Sequence, residues 1–222
     1  MTQEEIMNTL MTPPCSDVVA RLFAESDASE ASLAARRSSL PANREDYRAL
    51  YGALKDYYLA VSRETATLLY MLTRSTRARS IVEFGTSFGV STVYLAAALR
   101  DNGGGRVIST EFEPMKVEQA RTNIAAAGLS DLVDIRAGDA LETLARDLPE
   151  QIDLVLLDGA KNLYPNVLAL LEPRLKAGAL IVADNADWSP EYLARVRDAA
   201  GVYLSVPFAS DVELSMKLGG GR

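Results

Sequence analysis

The sequence predicts an α/β domain: a mostly parallel sheet with helices on both faces. Three observations predict it. The stretch from Ser80 to Leu99, SIVEFGTSFGVSTVYLAAAL, reads as strand, tight glycine turn and alanine-rich helix. After it, short apolar runs alternate with segments of helical spacing, the pattern of successive βαβ units. Acid and amide residues then fall just past the apolar runs, and parallel strands would bring them to one rim, where ligands of such sheets bind.

Composition sets the outer limits. A chain of 222 residues with 48% hydrophobic residues is long enough to bury the core of one α/β domain. No apolar run approaches the ~20 residues of a membrane helix, so no membrane association is expected. The N-terminal MTQEEIMNTLMTPPC is acidic and broken by Pro13-Pro14, unlike a secretory signal. The single cysteine, Cys15, rules out an internal disulfide and fits a reducing cytoplasm. A net charge of −7 argues against nucleic acid as partner and for a small molecule. With no histidine in the chain, a metal would be a hard cation held by oxygen, and a general base would be Asp, Glu, Lys or Tyr.

Residues 1–60 read as an N-terminal helical or lid region, 61–218 as the main domain, and 219–222 as a loose glycine tail. Ser16 or Asp17 is expected to cap a helix through Phe23-Ala24. The Ser-, Ala- and Arg-rich stretch from Ser26 to Asn43 reads as a connector or lid. Asn43 is expected to cap a helix carrying Tyr47, Leu50, Leu54, Tyr57 and Tyr58, and Ser62 to cap the next one. This region is expected to cover the active site.

From Ser80 the strands follow in order. Ser80–Phe84 leads into Gly85-x-x-x-Gly89, whose glycines allow a sharp turn and a close approach of backbone to ligand. The helix after it aims free N–H groups at the loop, suited to a carboxylate or phosphate. Val107–Thr110 ends in Glu111. Pro114 opens a helix that stops at Gly128. Leu132–Ala137 precedes Gly138-Asp139-Ala140. Ile152–Leu157, the most apolar run, reads as a central strand ending in Asp158. Ala179–Ala183 ends in Asp184-Asn185, and Asp187–Ala199 reads as a helix. Val202–Val206 and Val212–Leu218 complete the sheet, the last strand antiparallel.

Two sets of rim residues carry chemistry. Glu111 stands where a nucleotide-binding sheet places an acid for the ribose hydroxyls, a capping or solvated acid being the alternative. The loop lacks the G-x-G-x-x-G spacing of a dinucleotide site. Asp158, Asp184 and Asn185 offer three hard oxygen ligands for an octahedral Mg²⁺, and Lys161 stands three positions after Asp158. The alternative is a helix cap, a turn and a solvated lysine.

The motifs VEFGTSFGVST, STEFEP, AGDALETL, LDGAKNLY and IVADNADW resemble the Mg²⁺-dependent, S-adenosylmethionine-dependent O-methyltransferases, the group that includes the catechol and caffeoyl-CoA enzymes. The resemblance runs from about Val61 to Leu218. It implies the Rossmann-like class I methyltransferase fold, with a seven-stranded, mostly parallel sheet and an antiparallel last strand. It implies Asp158, Asp184 and Asn185 as ligands of Mg²⁺ or another divalent cation, Asp158 and Lys161 as catalytic residues, and Lys161 as general base. Glu83, Gly85, Thr86 and Ser91 match residues around the methionine end of S-adenosylmethionine, Ser91 near its carboxylate. Val61 matches a contact near the same end, Glu111 the ribose acid, and Asp139-Ala140 the adenine wall, with Asp158 also against the cofactor. Ala160 replaces the tryptophan that catechol enzymes set against adenine, and Gly159 a histidine of the animal enzymes. The implied reaction is methyl transfer to a hydroxyl of a vicinal diphenol, with Lys161 made neutral by a nearby dication and partial burial. Tyr164 and Trp188 are candidates to flank the aromatic acceptor. A metal-independent methyltransferase of the same fold and a non-catalytic S-adenosylmethionine binder are the rival readings. The bacterial members imply a homodimer, and the catechol enzyme a monomer.

Overall fold

The computed structural model describes residues 8–36 and 46–219. Its elements are α1 (Cys15–Arg36), α2 (Tyr47–Ala53), α3 (Arg63–Ser75), β1 (Ser80–Phe84), α4 (Val90–Asp101), β2 (Arg106–Glu111), α5 (Pro114–Ala126), β3 (Val133–Ala137), α6 (Ala140–Thr143), β4 (Ile152–Leu157), α7 (Tyr164–Leu171), β5 (Leu175–Ala183), α8 (Pro190–Val196), β6 (Tyr203–Phe208) and β7 (Val212–Lys217). The seven strands form one sheet in the order β3-β2-β1-β4-β5-β7-β6. The pairs from β3 to β5 are parallel, and β7 runs antiparallel to both neighbours. The predicted fold class stands, down to the single reversed strand.

Side-chain alternation along the strands divides the core into two layers. Ile81, Leu154 and Leu156 face one layer, with Leu22 and Phe23 of α1, Leu69 of α3 and the whole buried run of α4. Val82, Val155 and Leu157 face the other, with Leu168 of α7 and Tyr192 of α8. A period of two along each strand puts successive residues on opposite faces, so both helical layers draw on the same short strands. Residues Val90 to Leu99 of α4 are buried all round, as a helix without a polar face must be.

Several local expectations need correction. The stretch from Ser26 to Arg36 is not a connector: α1 continues through it, because Ala, Glu and Arg favour helix and no Gly or Pro interrupts them. That helix begins at Cys15, directly after Pro13-Pro14, with Asp17 inside its first turn. Asn43 lies outside the described residues, and the cap of α2 is Asp46, whose side chain accepts from the N–H of Ala49. That helix is shorter than expected and ends at Ala53, before Tyr57 and Tyr58. Ser62 caps α3 as expected, accepting from the N–H of Thr65. Strand β5 starts at Leu175 rather than Ala179, its register against β4 shifting between Ile152 and Leu154. The expected helix over 187–199 is a 3-10 turn at Ala186–Trp188 followed by α8, since Pro190 sets a new helix start.

Candidate active site

Parallel pairing carries one residue beyond each strand and fixes the rim. The N–H of Asp158 donates to the carbonyl of Phe84 at 2.8 Å, and that of Asp184 to Leu157 at 2.9 Å. The N–H groups of Gly85 and Thr86 both reach the carbonyl of Thr110, and Gly138 reaches Glu111. The residues after β1 to β5 are therefore locked in register along one edge.

Above this rim lies α2. Its Tyr47 hydroxyl and Arg48 guanidinium donate to Asp139 at 2.7 and 2.9 Å, and its Tyr51 hydroxyl to the carbonyl of Gly159 at 3.2 Å. Between helix and rim is a cavity of about 70 Å³. Gly85, Glu111, Asp139, Ala140 and Asp158, all expected at the cofactor, line it. Glu111 accepts from the N–H groups of Ser87 and Glu113. Burial pushes its carboxyl up, against these bonds and the Lys116 ammonium. Asp139 caps α6 through the N–H of Leu141. Burial works against its charge, but the hydrogen bonds from Tyr47, Arg48 and Leu141 outweigh it and hold the carboxyl below its usual range.

Glu83, Thr86 and Ser91 lie beneath the cavity in a buried hydroxyl network. Glu83 accepts from Ser91 at 2.6 Å, and from Thr92 and Ser109 at 2.5 Å. Thr86 joins through Ser109 and the carbonyl of Thr110. Desolvation of Glu83 exceeds what these hydroxyls return, and its pKa is pushed up to about 7. The Ser91 hydroxyl is thus engaged by Glu83 rather than turned to the cavity. Val61 is buried in the core layer of α4.

Beside the cavity, Asp158 and Asp184 stand on adjacent strand ends with Lys161 between them. Lys161 Nζ is 2.8 Å from Asp158 Oδ1 and 4.0 Å from Asp184 Oδ2. Burial and then the charge of Asp158 raise Asp184 to about 8. Burial also raises Asp158, against the pull of Lys161. For Lys161, burial disfavours the charge, but Asp158 first, with Asp184 also contributing, holds the ammonium protonated well above the usual lysine range. Asn185 adopts a left-handed φ of 46°, and its amide nitrogen donates to Asp211 at 3.1 Å. Its carbonyl oxygen is then the end available to a cation. Among the described residues no three His, Cys, Asp or Glu side chains group as a metal site, and Asp158, Asp184 and Asn185 supply only two of that kind. Two adjacent carboxylates, both raised by burial and Asp184 further by the charge of Asp158, are nonetheless the arrangement a dication relieves, so the donor set fits a hard cation.

Tyr164 does not flank an acceptor. It is fully buried, its hydroxyl 2.7 Å from the carbonyl of Leu157 and 2.8 Å from that of Asp184, tying β4 to β5. Trp188 is exposed, at the end of the turn after Asn185. Reading by motif missed Tyr47, Tyr51, Ser87, Lys116 and Asp211. Helical spacing from Tyr47 is legible in the sequence, but only the fold brings Tyr47 and Tyr51 over the rim.

A family profile described as a methyltransferase domain matches residues 82–186, which span β1 to the end of β5. Catechol O-methyltransferase of Mycobacterium tuberculosis is 35% identical over 147 residues, 65% of this chain and 64% of that protein; the match thus spans less than two thirds of that relative's length. A relative from Mycolicibacterium smegmatis whose name includes O-methyltransferase is 31% identical over 151 residues, 64% of this chain and 71% of its own. An O-methyltransferase from Bacillus cereus, solved in complex with SAH, superposes with a TM-score of 0.68 at 21% identity, covering 89% of this chain and 100% of that one. The strand order, the matched β1–β5 segment and the shared identity agree, and the chain belongs to the class I S-adenosylmethionine-dependent O-methyltransferases.

Proposed function

We propose that the protein transfers a methyl group from S-adenosylmethionine to one hydroxyl of a vicinal diphenol, with a divalent cation such as Mg²⁺ at the acceptor. The observation that carries the reading is the Asp158–Lys161–Asp184 cluster at the mouth of a cavity walled by Glu111 and Asp139. Relatives named catechol O-methyltransferase and a neighbour solved with SAH support the same reading.

Asp158, Asp184 and the carbonyl oxygen of Asn185 would hold the cation. When bound it supplies Lewis acidity that lowers the pKa of the hydroxyl, and S-adenosylmethionine supplies an activated methyl group. In this reading Glu111 takes the ribose hydroxyls, and Asp139 with Ala140 borders the adenine. Lys161 Nζ accepts the hydroxyl proton. Its present partners are the same two carboxylates that would turn to a cation, so their engagement would release the hold on its charge. Alignment of donor and acceptor can supply roughly 7–11 kcal/mol of a barrier. Exposed Trp188, three residues after Asn185, is the candidate to border the aromatic ring.

The test is transfer of a labelled methyl from S-adenosylmethionine to a panel of ortho-diphenols, in parallel with Mg²⁺ and with EDTA. The expected result is transfer that EDTA removes and that Asp158→Ala abolishes, with S-adenosylhomocysteine still bound. Transfer unaffected by EDTA would overturn the metal part. Binding without transfer to any acceptor would favour the non-catalytic reading.

A further inference from the structure

Lys116 has no part in the proposed reaction. It sits in the first turn of α5 behind Pro114, is 3% exposed and lines the cavity. The only hydrogen bond of its ammonium among the described residues is a long one, 3.4 Å from Nζ to Ser87 Oγ, and Nζ lies 5.2 Å from the ring centre of Phe88. None of the ion pairs found among the described residues involves it. The carboxylates of Glu111, Glu113, Asp158 and Asp56 act on it at longer range. Burial lowers its pKa against them. A desolvated ammonium with two donor positions unused is costly unless something anionic completes it.

Its neighbour Ser87 points the same way. Ser87 holds a left-handed φ of 49°, a strained setting for a side chain that persists where the surroundings demand it. Its N–H is on Glu111 and its hydroxyl beside Lys116. Among the described residues that line the cavity Lys116 is the one cation, set against the carboxylates of Glu111, Glu113, Asp139 and Asp158. A ligand that carries both signs at one end suits this lining better than a purely cationic one. The amino-acid end of S-adenosylmethionine is such a group, and its carboxylate is the cofactor's one anion. Ser91, the residue expected near that carboxylate, has its hydroxyl committed to Glu83 at 2.6 Å.

We propose that Lys116 is a further cofactor-binding residue, whose ammonium takes the carboxylate of S-adenosylmethionine beside Ser87. The assignment rests on the cofactor reading above and names the partner of one of its groups.

The experiment is a binding cycle by titration calorimetry on the full chain. S-adenosylmethionine and its decarboxylated form, which differ only in the carboxylate, are compared on the wild type and on Lys116→Met. The wild type is expected to prefer the carboxylated form by roughly 10- to 100-fold, the range of a charge-assisted pair. Lys116→Met should remove that preference while leaving affinity for the decarboxylated form within about twofold. Lys116→Arg should keep it. A preference that survives in Lys116→Met overturns the proposal, as does a wild type that shows none. Equal weakening of both ligands also overturns it, since Lys116 would then act through Glu111. A wild type that binds neither ligand sinks the cofactor reading itself, and the assignment with it. Where Lys116→Met does not fold, Lys116→Gln is measured and read in the same way.

Discussion

A Cβ on Gly85 would stand 2.7 Å from the backbone carbonyl oxygen of Asp158. The glycine turn after β1 and the acid after β4 thus touch backbone to backbone, and the turn holds a φ of 104° that a side chain tolerates poorly. Gly85→Ala must relieve both the strain and the overlap by parting the two strand ends. It is expected to cost about 2–5 kcal/mol of stability, and to weaken S-adenosylhomocysteine binding. Urea unfolding and calorimetry check it. Unchanged values in both would show that the rim can shift without loss.

Tyr164 fastens the neighbouring pair of strand ends. One hydroxyl serves the carbonyls of Leu157 and Asp184 from a fully buried ring. Tyr164→Phe keeps the packing against Phe84 and Tyr192 but leaves the Asp184 carbonyl without that donor. The expected loss is about 1–3 kcal/mol in denaturant unfolding, the cost of a buried group left unsatisfied. A variant as stable as the wild type would mean that water replaces the hydroxyl.

Glu83 ties stability to pH. Its folded pKa of about 7 lies above the ordinary 4.5, so between those values the folded state binds more protons than the unfolded one. Stability from this group is full below about 4.5, falls as pH rises, and is lost above about 7. The shift corresponds to a swing on the order of 3 kcal/mol. Glu83→Gln cannot titrate, and the three hydroxyls around it can turn to meet an amide. Melting temperatures from pH 4.5 to 8 should fall less steeply in the variant than in the wild type. Parallel curves would place the titration elsewhere.

The legible part of this chain was its rim. Strand ends announce themselves by an apolar run that stops at an acid, and Glu111, Asp158 and Asp184 all did so. The two core layers were also readable, because parallel central strands are apolar on both faces. What motif reading lacked was long-range geometry. Nothing local says that Tyr47 and Arg48 meet Asp139 some 90 residues on, or that Ser91 spends its hydroxyl on Glu83. Lys116 reads as one more surface lysine on a helix until the fold turns it inward. Tyr164, an aromatic beside the metal motif, looked like a substrate contact, yet burial made it a strut. The α1 error has a different origin: serine and arginine suggested a linker, while the absence of Gly and Pro allowed a helix.

The last prediction concerns α2. The cavity beneath it holds about 70 Å³, less than half of the roughly 150 Å³ that encloses benzene in an engineered protein core. S-adenosylmethionine is several times larger than benzene, and α2 is expected to move as the cofactor is admitted. Two contacts on Asp139 and one on Gly159 resist that motion, and those on Asp139 occupy the acid proposed to border the adenine. Arg48 is largely exposed, and its contact is screened by solvent, so it should act on rate more than on stability. Arg48→Ala combined with Tyr47→Phe removes both donors to Asp139 without disturbing its cap on Leu141. Stopped-flow association of S-adenosylhomocysteine is expected to quicken several-fold in the double variant, with a melting temperature close to that of the wild type. The wild-type rate should also rise with salt, which weakens the Arg48–Asp139 pair, and the variant should lose that dependence. An association rate that neither the substitutions nor salt alter would show that α2 opens without breaking these bonds.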